Sequence, residues 1–459
     1  MLYLLVCSCL IYWLFRKDMQ WRRAGSRELL IPAAFIAIIG SRPVSSWLGS
    51  GGASSSTEGD PINTFTFAFL LISSLFILNR QHFRWGEFFR ENGALLLIYG
   101  FFVCSSVWSE LPLVSLKRLV KDFTCVPLAL LILRQPNVFS AMRAIYVRVS
   151  YLLFPLSIIF IKYFPEIGRS PAHNGENTYT GVTTQKNSLG ELVFVLSVFI
   201  VWDAIEIYQG GKRRGKKMQL AIRGLMILMG QWLLVTCDSQ TSLICLVLAV
   251  VVLMGSKRLV RTDNGKKILV AGLATALTLM LLDKTLNLSD PIIRALGRNP
   301  TLTGRTEIWR IVKEQNTGPL LGEGFYTFWD TEKGGAVVDA LTRINSAHNG
   351  YLETYVDGGI VGVCLLILFL IVATKRVIRR AFTGNVFGCL GLAFCFTAII
   401  YNMSESSFFR LDLLWFTLLL VTVECAPRFV KKVVRPTPPA GKRQPAVAGS
   451  RTSPEYSYS

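Results

Sequence analysis

Residues 345–373 read NSAHNGYLETYVDGGIVGVCLLILFLIVA, a short polar segment followed by a long, mostly apolar run. The run 351–373 exceeds the roughly 20 residues that an α-helix needs to cross the hydrocarbon core of a bilayer. This stretch therefore predicts a membrane-spanning helix with polar residues at its N-terminal end. Similar apolar runs recur along the chain, so the stretch indicates the fold of the whole protein.

The composition is typical of a polytopic membrane protein. Of the 459 residues, 51% are hydrophobic and 17% are charged, whereas an average soluble domain has about a quarter charged residues. These figures exclude a disordered chain and disfavour a soluble enzyme. We predict an all-α membrane protein with thirteen spans, or twelve if the weak first span is discarded. The predicted spans are 2–15, 29–48, 62–79, 93–109, 119–134, 144–163, 188–207, 220–237, 240–255, 267–283, 351–373, 384–402 and 411–426.

The net charge is +20, and the basic residues are concentrated in every second loop between the predicted spans. Of the 49 Lys and Arg residues, 32 lie in alternate loops, while the intervening loop 49–61 has none. The positive-inside rule places the basic loops in the cytoplasm and residues 284–350 outside. The charge is therefore a topology signal, and we expect no nucleic-acid partner. The basic loops are 16–28, 80–92, 134–143, 208–223, 256–267, 374–383 and the tail from 427.

Four regions follow from this pattern. Residues 1–283 are predicted to form a transmembrane helix bundle, and residues 284–350 a long external loop of a kind that is usually functional. Residues 351–426 form the C-terminal transmembrane helices, and residues 427–459 a disordered basic cytoplasmic tail. The external loop contains aromatic and periodic apolar residues, so we expect it to be folded.

His348 is the first candidate for chemistry, because it precedes the predicted span at 351. Ser346 or Asn345 can cap the helix that begins there. Gly359 is eleven residues further on. At about 100° per residue it would share a face with His348, roughly 16 Å along the helix. This predicts a histidine above a small-residue groove that could hold a lipid tail or another helix. The alternative is a histidine that only caps a helix.

Arg305 is the second candidate. Thr303 can cap a short amphipathic helix in which Arg305 stands in the first turn, where free backbone N–H groups already favour an anion. A guanidinium adds bidentate recognition of phosphate. The alternative is a surface arginine paired with Glu307 or Asp290. The predicted apolar side of the helix consists of Ile308, Trp309, Ile311 and Val312.

Other external groups are weaker candidates. Gly322 and Gly324 could form a backbone nest for an anion, and Lys186 could supply a second cation or only anchor a span. Glu405 is an external carboxylate between the last two predicted spans. The sequence has no P-loop, HExxH or GxSxG motif and no metal-ligand spacing among its ten cysteines. We therefore expect no metal and no cofactor.

Six short motifs together resemble the superfamily of O-antigen ligases and Wzy-type polysaccharide polymerases. The chain is most similar to the branch of exopolysaccharide-production proteins, and the resemblance covers about residues 180–410. The motifs are KNSLG (186–190), SQTSL (239–243), TGRTEIW (303–309), LGEG (321–324), AHNGYL (347–352) and GGIVG (358–362).

The resemblance implies a GT-C-like membrane glycosyltransferase. Such proteins move a glycan from an undecaprenyl-diphosphate carrier to an acceptor hydroxyl outside the cytoplasmic membrane, without a metal. The ligases' His-x10-Gly pattern falls on His348 and Gly359. His348 is then the candidate general base, or it orients the acceptor hydroxyl, and Arg305 clamps the diphosphate. Lys186 stands where many ligases have an arginine, and their Arg-x3-Leu pattern is not clearly found there.

The expected substrate-binding residues are Lys186, Asn187, Asn349, Glu353, Gly359, Gly322 and Gly324. The expected partners are the undecaprenyl-diphosphate-linked glycan, an acceptor glycan or lipid, membrane lipids and a chain-length or export partner. We predict a multi-pass protein of the bacterial inner membrane that polymerises repeat units. A ligase that delivers finished glycan to a lipid or protein remains an alternative, as does a transporter.

Overall fold

The computed structural model describes residues 2–21, 27–49, 60–171, 177–211, 215–286, 305–316, 318–340, 346–383 and 386–425. Most of these residues are helical. The helices are α1 (Leu2–Trp21), α2 (Leu30–Ile39), α3 (Val44–Trp47), α4 (Pro61–Arg80), α5 (Trp85–Glu91), α6 (Gly93–Ser105), α7 (Pro112–Phe123), α8 (Cys125–Leu133), α9 (Val138–Tyr163), α10 (Pro165–Gly168), α11 (Lys186–Gln209), α12 (Lys216–Cys237), α13 (Gln240–Leu259), α14 (Gly265–Leu286), α15 (Arg305–Gln315), α16 (Glu332–Ala340), α17 (Gly350–Phe382), α18 (Val386–Tyr401) and α19 (Leu413–Thr422). Short 3-10 helices occupy Arg27–Leu29 and Phe328–Asp330.

Each of the thirteen predicted spans overlaps one of these helices. Six helices within the described part are long and apolar enough to cross a membrane, namely α4, α9, α11, α12, α13 and α17. Three shorter apolar helices are α6, α18 and α19. The prediction of a largely helical, multi-pass membrane protein is therefore confirmed.

One small element of the described chain is not helical. Strands β1 (Arg169–Pro171) and β2 (Asn177–Tyr179) form an antiparallel pair, with Ser170 opposite Thr178. The pair lies between α10 and α11, so it adds a short ribbon to one loop and leaves the helical architecture unchanged.

The bundle is organised around α11 and α19. All ten residues of α19 are buried, whereas α4 exposes Phe65, Phe69, Ile72 and Phe76 along one side. Apolar side chains spaced in this way form one stripe of a helix. Such a stripe on the outside of a membrane protein suits contact with lipid tails, so α4 is a peripheral helix and α19 a central one.

The two ends of α11 define two faces of the protein. Its 24 residues extend for roughly 36 Å. At one end Asn187 contacts the segment after α18, and we call this end the site face. At the other end α11 enters the basic loop 208–223, and Glu206 near this end is paired with Lys257 of α13. We call this end the basic face.

The residue that caps α17 differs from the predicted one. The cap is Asn349, whose Oδ1 accepts hydrogen bonds from the N–H groups of Tyr351 and Leu352. Ser346 does not cap α17, and Asn345 lies outside the described residues. His348 therefore precedes the helix, and its backbone is in the left-handed region with φ of 47°.

A break at Gly359 interrupts α17, with φ of 61° and ψ of −161°. The rotation of 100° per residue holds only within a continuous helix. His348 lies before the helix and Gly359 lies at its break, so the prediction that they share a helical face was wrong.

The backbone of loop 318–324 forms hydrogen bonds with α17 on both sides of the break. The N–H groups of Glu323 and Gly324 donate to the carbonyls of Val356 (2.9 Å) and Asp357 (3.1 Å). Beyond the break, the N–H groups of Ile360 and Val361 donate to the carbonyls of Pro319 (2.9 Å) and Leu320 (3.2 Å). Backbone groups that the helix cannot pair are thereby satisfied, and the loop is fixed to α17.

The close approach of loop and helix requires glycine. A Cβ on Gly322 would lie 2.3 Å from the backbone nitrogen of Gly358, and Gly322 has φ of 74°. A Cβ on Gly335 in α16 would contact nothing within 4 Å. The two glycines are thus a matched pair for measuring the strength of this junction.

We predict that Gly322→Ala lowers the apparent melting temperature of the purified protein by several degrees. The added methyl group meets backbone that cannot move aside, and alanine at positive φ destabilises by more than about 1 kcal/mol. Gly335→Ala should leave the melting temperature unchanged or raise it, because alanine favours a helix by roughly 0.5–1 kcal/mol over glycine. Equal melting temperatures for the two variants would contradict the proposed junction.

Candidate functional site

Helix α15 places Arg305 at the site face. The helix begins at Arg305, and Ile308 and Val312 are buried on its apolar side. Trp309 and Ile311 pack partly against the same small core. The predicted amphipathic helix with Arg305 in its first turn is therefore confirmed, while Thr303 lies outside the described residues.

Arg305 is paired across the site rather than along its own helix. Its NH2 group lies 2.6 Å from Glu405 Oε1, and NH1 donates to the carbonyl of Ser404. Glu307 instead pairs with Arg310, over 2.6 Å. The alternative in which Arg305 pairs with Glu307 was therefore wrong, and Asp290 lies outside the described residues. The side chain of Arg305 is 15% exposed, so a ligand can still reach it.

The segment that carries His348 is held on three sides. The carbonyl of Ala347 accepts a hydrogen bond from Trp309 Nε1 of α15 (2.8 Å). The N–H of Asn349 donates to Ser406 Oγ (2.9 Å), and that of His348 to Ser346 Oγ (3.2 Å). These contacts hold a left-handed backbone conformation that is uncommon outside glycine. They aim the imidazole at Glu405.

Glu405 joins the candidate residues. Its Oε2 lies 3.1 Å from His348 Nδ1 and accepts a hydrogen bond from Asn187 Nδ2 (3.2 Å), while Oε1 binds Arg305. Glu405 is only 5% exposed. One buried carboxylate therefore brings together His348, Arg305 and Asn187, which come from three separate parts of the sequence.

The sequence pointed to Glu405 only as an external carboxylate, and it was not among the predicted site residues. The available signal was its position between the last two predicted spans. Nothing local in the sequence links it to His348, which is 57 residues away. The contact depends on how α17, α18 and α19 pack, and therefore on tertiary structure.

The hydrogen bond to Glu405 assigns the ring nitrogens of His348. An ionised carboxylate only accepts hydrogen bonds, so Nδ1 carries a hydrogen and donates it. The other nitrogen, Nε2, then has a lone pair in the neutral ring. The His348 side chain is 29% exposed, so Nε2 can act on a group that enters from outside.

Glu353 holds the histidine segment in place. Its Oε1 accepts from the N–H of Ala347 (2.7 Å) and from Ser346 Oγ (3.1 Å). Its Oε2 accepts from Arg410 (2.8 Å) and from Trp329 Nε1 (3.1 Å). With four donors and 2% exposure, the carboxylate has no room for a substrate. The prediction that Glu353 binds substrate directly was therefore wrong.

Arg410 compensates the buried charge of Glu353 and of Asp357. Its NH1 lies 3.2 Å from Asp357 Oδ2, and its guanidinium lies over the ring of Tyr326 at 3.7 Å. Burial lowers the pKa of Arg410, but the charges of Asp357 and Glu353 outweigh this effect, so the pKa lies above its ordinary value. Arg410 thus stays cationic and holds Glu353, which in turn holds the segment that carries His348.

Gly322, Gly324 and Gly359 were predicted to bind substrate, and the structure places them where loop 318–324 meets α17. The N–H groups of Gly322, Glu323 and Gly324 all donate within the chain, the first to the carbonyl of Gly318 over 2.8 Å. The predicted anion nest at Gly322 and Gly324 was therefore wrong. Gly359 lies in the break of α17, where it packs against Leu320.

Asn349 and Lys186 are the last two of the predicted substrate-binding residues. The Oδ1 of Asn349 is used in capping α17, so it positions the chain rather than presenting an acceptor. Lys186 is the first residue of α11 and is half-buried beside Asn187. Its ammonium makes no hydrogen bond or ion pair with another described residue. It therefore remains available to an anion near the site.

The site combines a base with cations. His348 offers a lone pair for a proton, and Arg305 and Lys186 offer positive charge for an anion. In the part of the chain that the structure describes, no three His, Cys, Asp or Glu side chains are grouped so that they could hold a metal ion. The arrangement suits transfer of a proton from a hydroxyl close to a bound or departing anion.

Comparisons with known proteins agree with this arrangement. Residues 224–367 match the family model described as O-Antigen ligase, and this range includes both Arg305 and His348. The chain is 24% identical over 303 residues to the Exopolysaccharide production protein ExoQ of Rhizobium meliloti (strain 1021). The alignment covers 62% of this chain and 66% of the relative, slightly less than two thirds of the relative's length. These similarities confirm the predicted resemblance to the superfamily of O-antigen ligases and Wzy-type polysaccharide polymerases, in its exopolysaccharide branch.

Proposed function

We propose that this protein is a metal-independent glycosyltransferase of the bacterial inner membrane. It transfers a glycan from an undecaprenyl-diphosphate carrier to an acceptor hydroxyl outside the cytoplasmic membrane, and it polymerises exopolysaccharide or O-antigen repeat units. The observation that carries the proposal is that one carboxylate, Glu405, binds both His348 and Arg305. A base and an anion-binding cation are thereby placed within reach of one reacting centre.

His348 acts as the general base in this reaction. The acceptor hydroxyl donates its proton to Nε2, and its oxygen forms a bond to the anomeric carbon of the donor glycan. A neutral imidazole is the side chain most often used to take a proton in such a step. Glu405 keeps the hydrogen on Nδ1, which leaves Nε2 free for the acceptor.

Arg305 stabilises the leaving group. As the new bond forms, the bond between the anomeric carbon and the diphosphate oxygen breaks, and the electron pair leaves with the diphosphate. A guanidinium can bind phosphate oxygens in a bidentate manner. Lys186, at the start of α11, supplies a second positive charge on the neighbouring side of the site.

The topology supports an external reaction. His348, Arg305, Asn187 and Glu405 lie in segments for which the charge pattern predicts an external location. In this proposal residues 284–350 form the catalytic periplasmic loop between the helix bundle 1–283 and the helices of 351–426, within a GT-C-like fold. A lipid carrier reaches this side of the membrane, whereas soluble nucleotide-activated sugars are made in the cytoplasm.

The proposal is tested on glycans extracted from a deletion strain. Single lipid-linked repeat units that accumulate without polymer support a polymerase. Finished polymer that stays on its carrier and never reaches its final acceptor would instead identify a ligase, the activity named by the matching family model. Unchanged glycans in the deletion strain would overturn both and leave a transporter as the alternative.

We predict that His348→Ala and Arg305→Ala restore little or no polymer when they are expressed in the deletion strain. Arg305→Lys should be less active than wild type, because an ammonium cannot form the bidentate contact of a guanidinium. Arg310→Ala is the matched control, since Arg310 lies on the same helix but is exposed and paired with Glu307 and Glu314. Membrane levels of each variant are measured on the same samples. Full activity of both Arg305 variants would exclude the clamp.

We predict a distinct effect for Glu405→Gln. Glutamine keeps the size of the side chain, but it has one acceptor oxygen in place of two, so at least one of the three donors loses its partner. The expected result is a lower kcat for glycan transfer by about 10²–10⁴, the usual contribution of a general base. The melting temperature should fall much less than it does for Gly322→Ala.

The control for this variant is Glu307→Gln, which removes an exposed carboxylate from α15 and should be fully active. If Glu405→Gln loses activity only in proportion to the loss of folded protein, Glu405 has a structural role. Wild-type kcat in Glu405→Gln would contradict its role in positioning His348.

A further inference from the structure

A second polar site lies on the basic face, at the opposite end of α11 from His348. The ends of α9, α11 and α12 enclose a cavity of about 340 Å³ there. This volume is in the usual range for small-molecule sites. The cavity is lined by Phe139, Arg143, Glu206, Ile207, Gln209, Gly210, Gly211, Lys216 and Gln219.

Arg143 of the cavity lining belongs to a network of arginines and buried carboxylates. Asp203 is fully buried and receives both Arg143 and Arg223, the latter over 2.8 Å. Asp18 is also fully buried and receives Arg148 over 2.8 Å and Arg223 over 3.7 Å. Arg143, itself part of the lining, therefore brings a guanidinium to the wall of the cavity, where Asp203 holds it in place.

Lys216 brings a second positive charge to the cavity. Its Nζ donates to the carbonyl oxygens of Tyr208 (2.9 Å) and Gly210 (2.7 Å) at the end of α11. These acceptors are neutral, and an ammonium has three N–H donors, so one donor remains for a ligand. Glu206 is the carboxylate in the lining, and it is paired with Lys257 of α13. The ammonium of Lys216 is thus left without a carboxylate partner among the described residues.

The other lining groups suit a phosphate ester. Helix α12 starts at Lys216, so the N–H groups of its first turn lie at the cavity and favour an anion. The side-chain amides of Gln209 and Gln219 can donate to phosphate oxygens. Phe139 and Ile207 give the cavity an apolar edge. Cations, N–H donors and an apolar edge together match a charged head group joined to an acyl chain.

We propose that this cavity binds the phosphate of an anionic phospholipid head group. Basic pockets between transmembrane helices at the cytoplasmic surface are suited to such head groups, because the cytoplasmic leaflet carries anionic lipids. The bound lipid pairs with the ammonium of Lys216 and joins the ends of α9, α11 and α12. Its binding is independent of the reaction proposed for the site face.

The test measures the melting temperature of the purified full-length protein in uncharged detergent. Phosphatidylglycerol, phosphatidylcholine or inorganic phosphate is added in increasing amounts. A ligand that binds only the folded state raises the melting temperature in proportion to its occupancy. We predict stabilisation by several degrees with phosphatidylglycerol and little change with phosphatidylcholine.

Two neighbouring lysines provide the matched variants. Lys216→Gln should require at least tenfold more phosphatidylglycerol for half of the stabilisation. Lys217→Gln removes the same charge from the adjacent exposed residue and should respond like wild type. Gln219→Glu places a carboxylate in the cavity and should also weaken binding, which provides a second variant if Lys216→Gln does not fold.

The outcomes separate the possible ligands. Equal stabilisation of Lys216→Gln, Gln219→Glu and Lys217→Gln by phosphatidylglycerol would overturn the proposal. Stabilisation by inorganic phosphate that depends on Lys216, with no preference between the two lipids, would keep the phosphate site but overturn its assignment to a lipid. Continued polymer synthesis by Lys216→Gln would show that this site and the glycan site are separate.

Discussion

The carboxylate of Glu405 is the interaction on which the site depends. It is buried at the site face, where an uncompensated charge would be unfavourable by several kcal/mol. Its partners come from α11, from the start of α15 and from the segment before α17. The charge is therefore stable only when these three elements are docked. The same contacts that offset its burial also set the distances between His348, Arg305 and Asn187.

A second layer makes this geometry rigid. Glu353 holds the backbone of Ala347, and Arg410 compensates the negative charges of Glu353 and Asp357. The break at Gly359 exposes backbone groups that loop 318–324 satisfies. Glycines 322, 350 and 359 lie where a Cβ would come within 2.3 Å of neighbouring atoms. These residues act through positioning, and their roles follow from close packing rather than from reactive chemistry.

The sequence predicted what depends on local properties. Hydropathy located the helices because the bilayer requires long apolar runs, and the 3.6-residue period predicted α15 and the place of Arg305. Prediction from the sequence failed where segments that are far apart in the chain come into contact. The break at Gly359 depends on loop 318–324, so helical periodicity could not show it. Glu405 depends on the packing of three helices, and Glu353 resembles a binding carboxylate until its four donors are seen. The roles of His348 and Lys186 stay predictions.

In the proposed reaction the positive charge beside Glu405 passes from Arg305 to His348. A diphosphate that enters the site competes with Glu405 for Arg305, and this exchange would leave the buried carboxylate with less positive charge. Proton transfer from the acceptor to His348 creates an imidazolium beside the same carboxylate. The charge lost when Arg305 turns to the leaving group is thus replaced as the hydroxyl is deprotonated. Because both changes are favourable only together, the arrangement couples activation of the acceptor to departure of the diphosphate and disfavours either step alone.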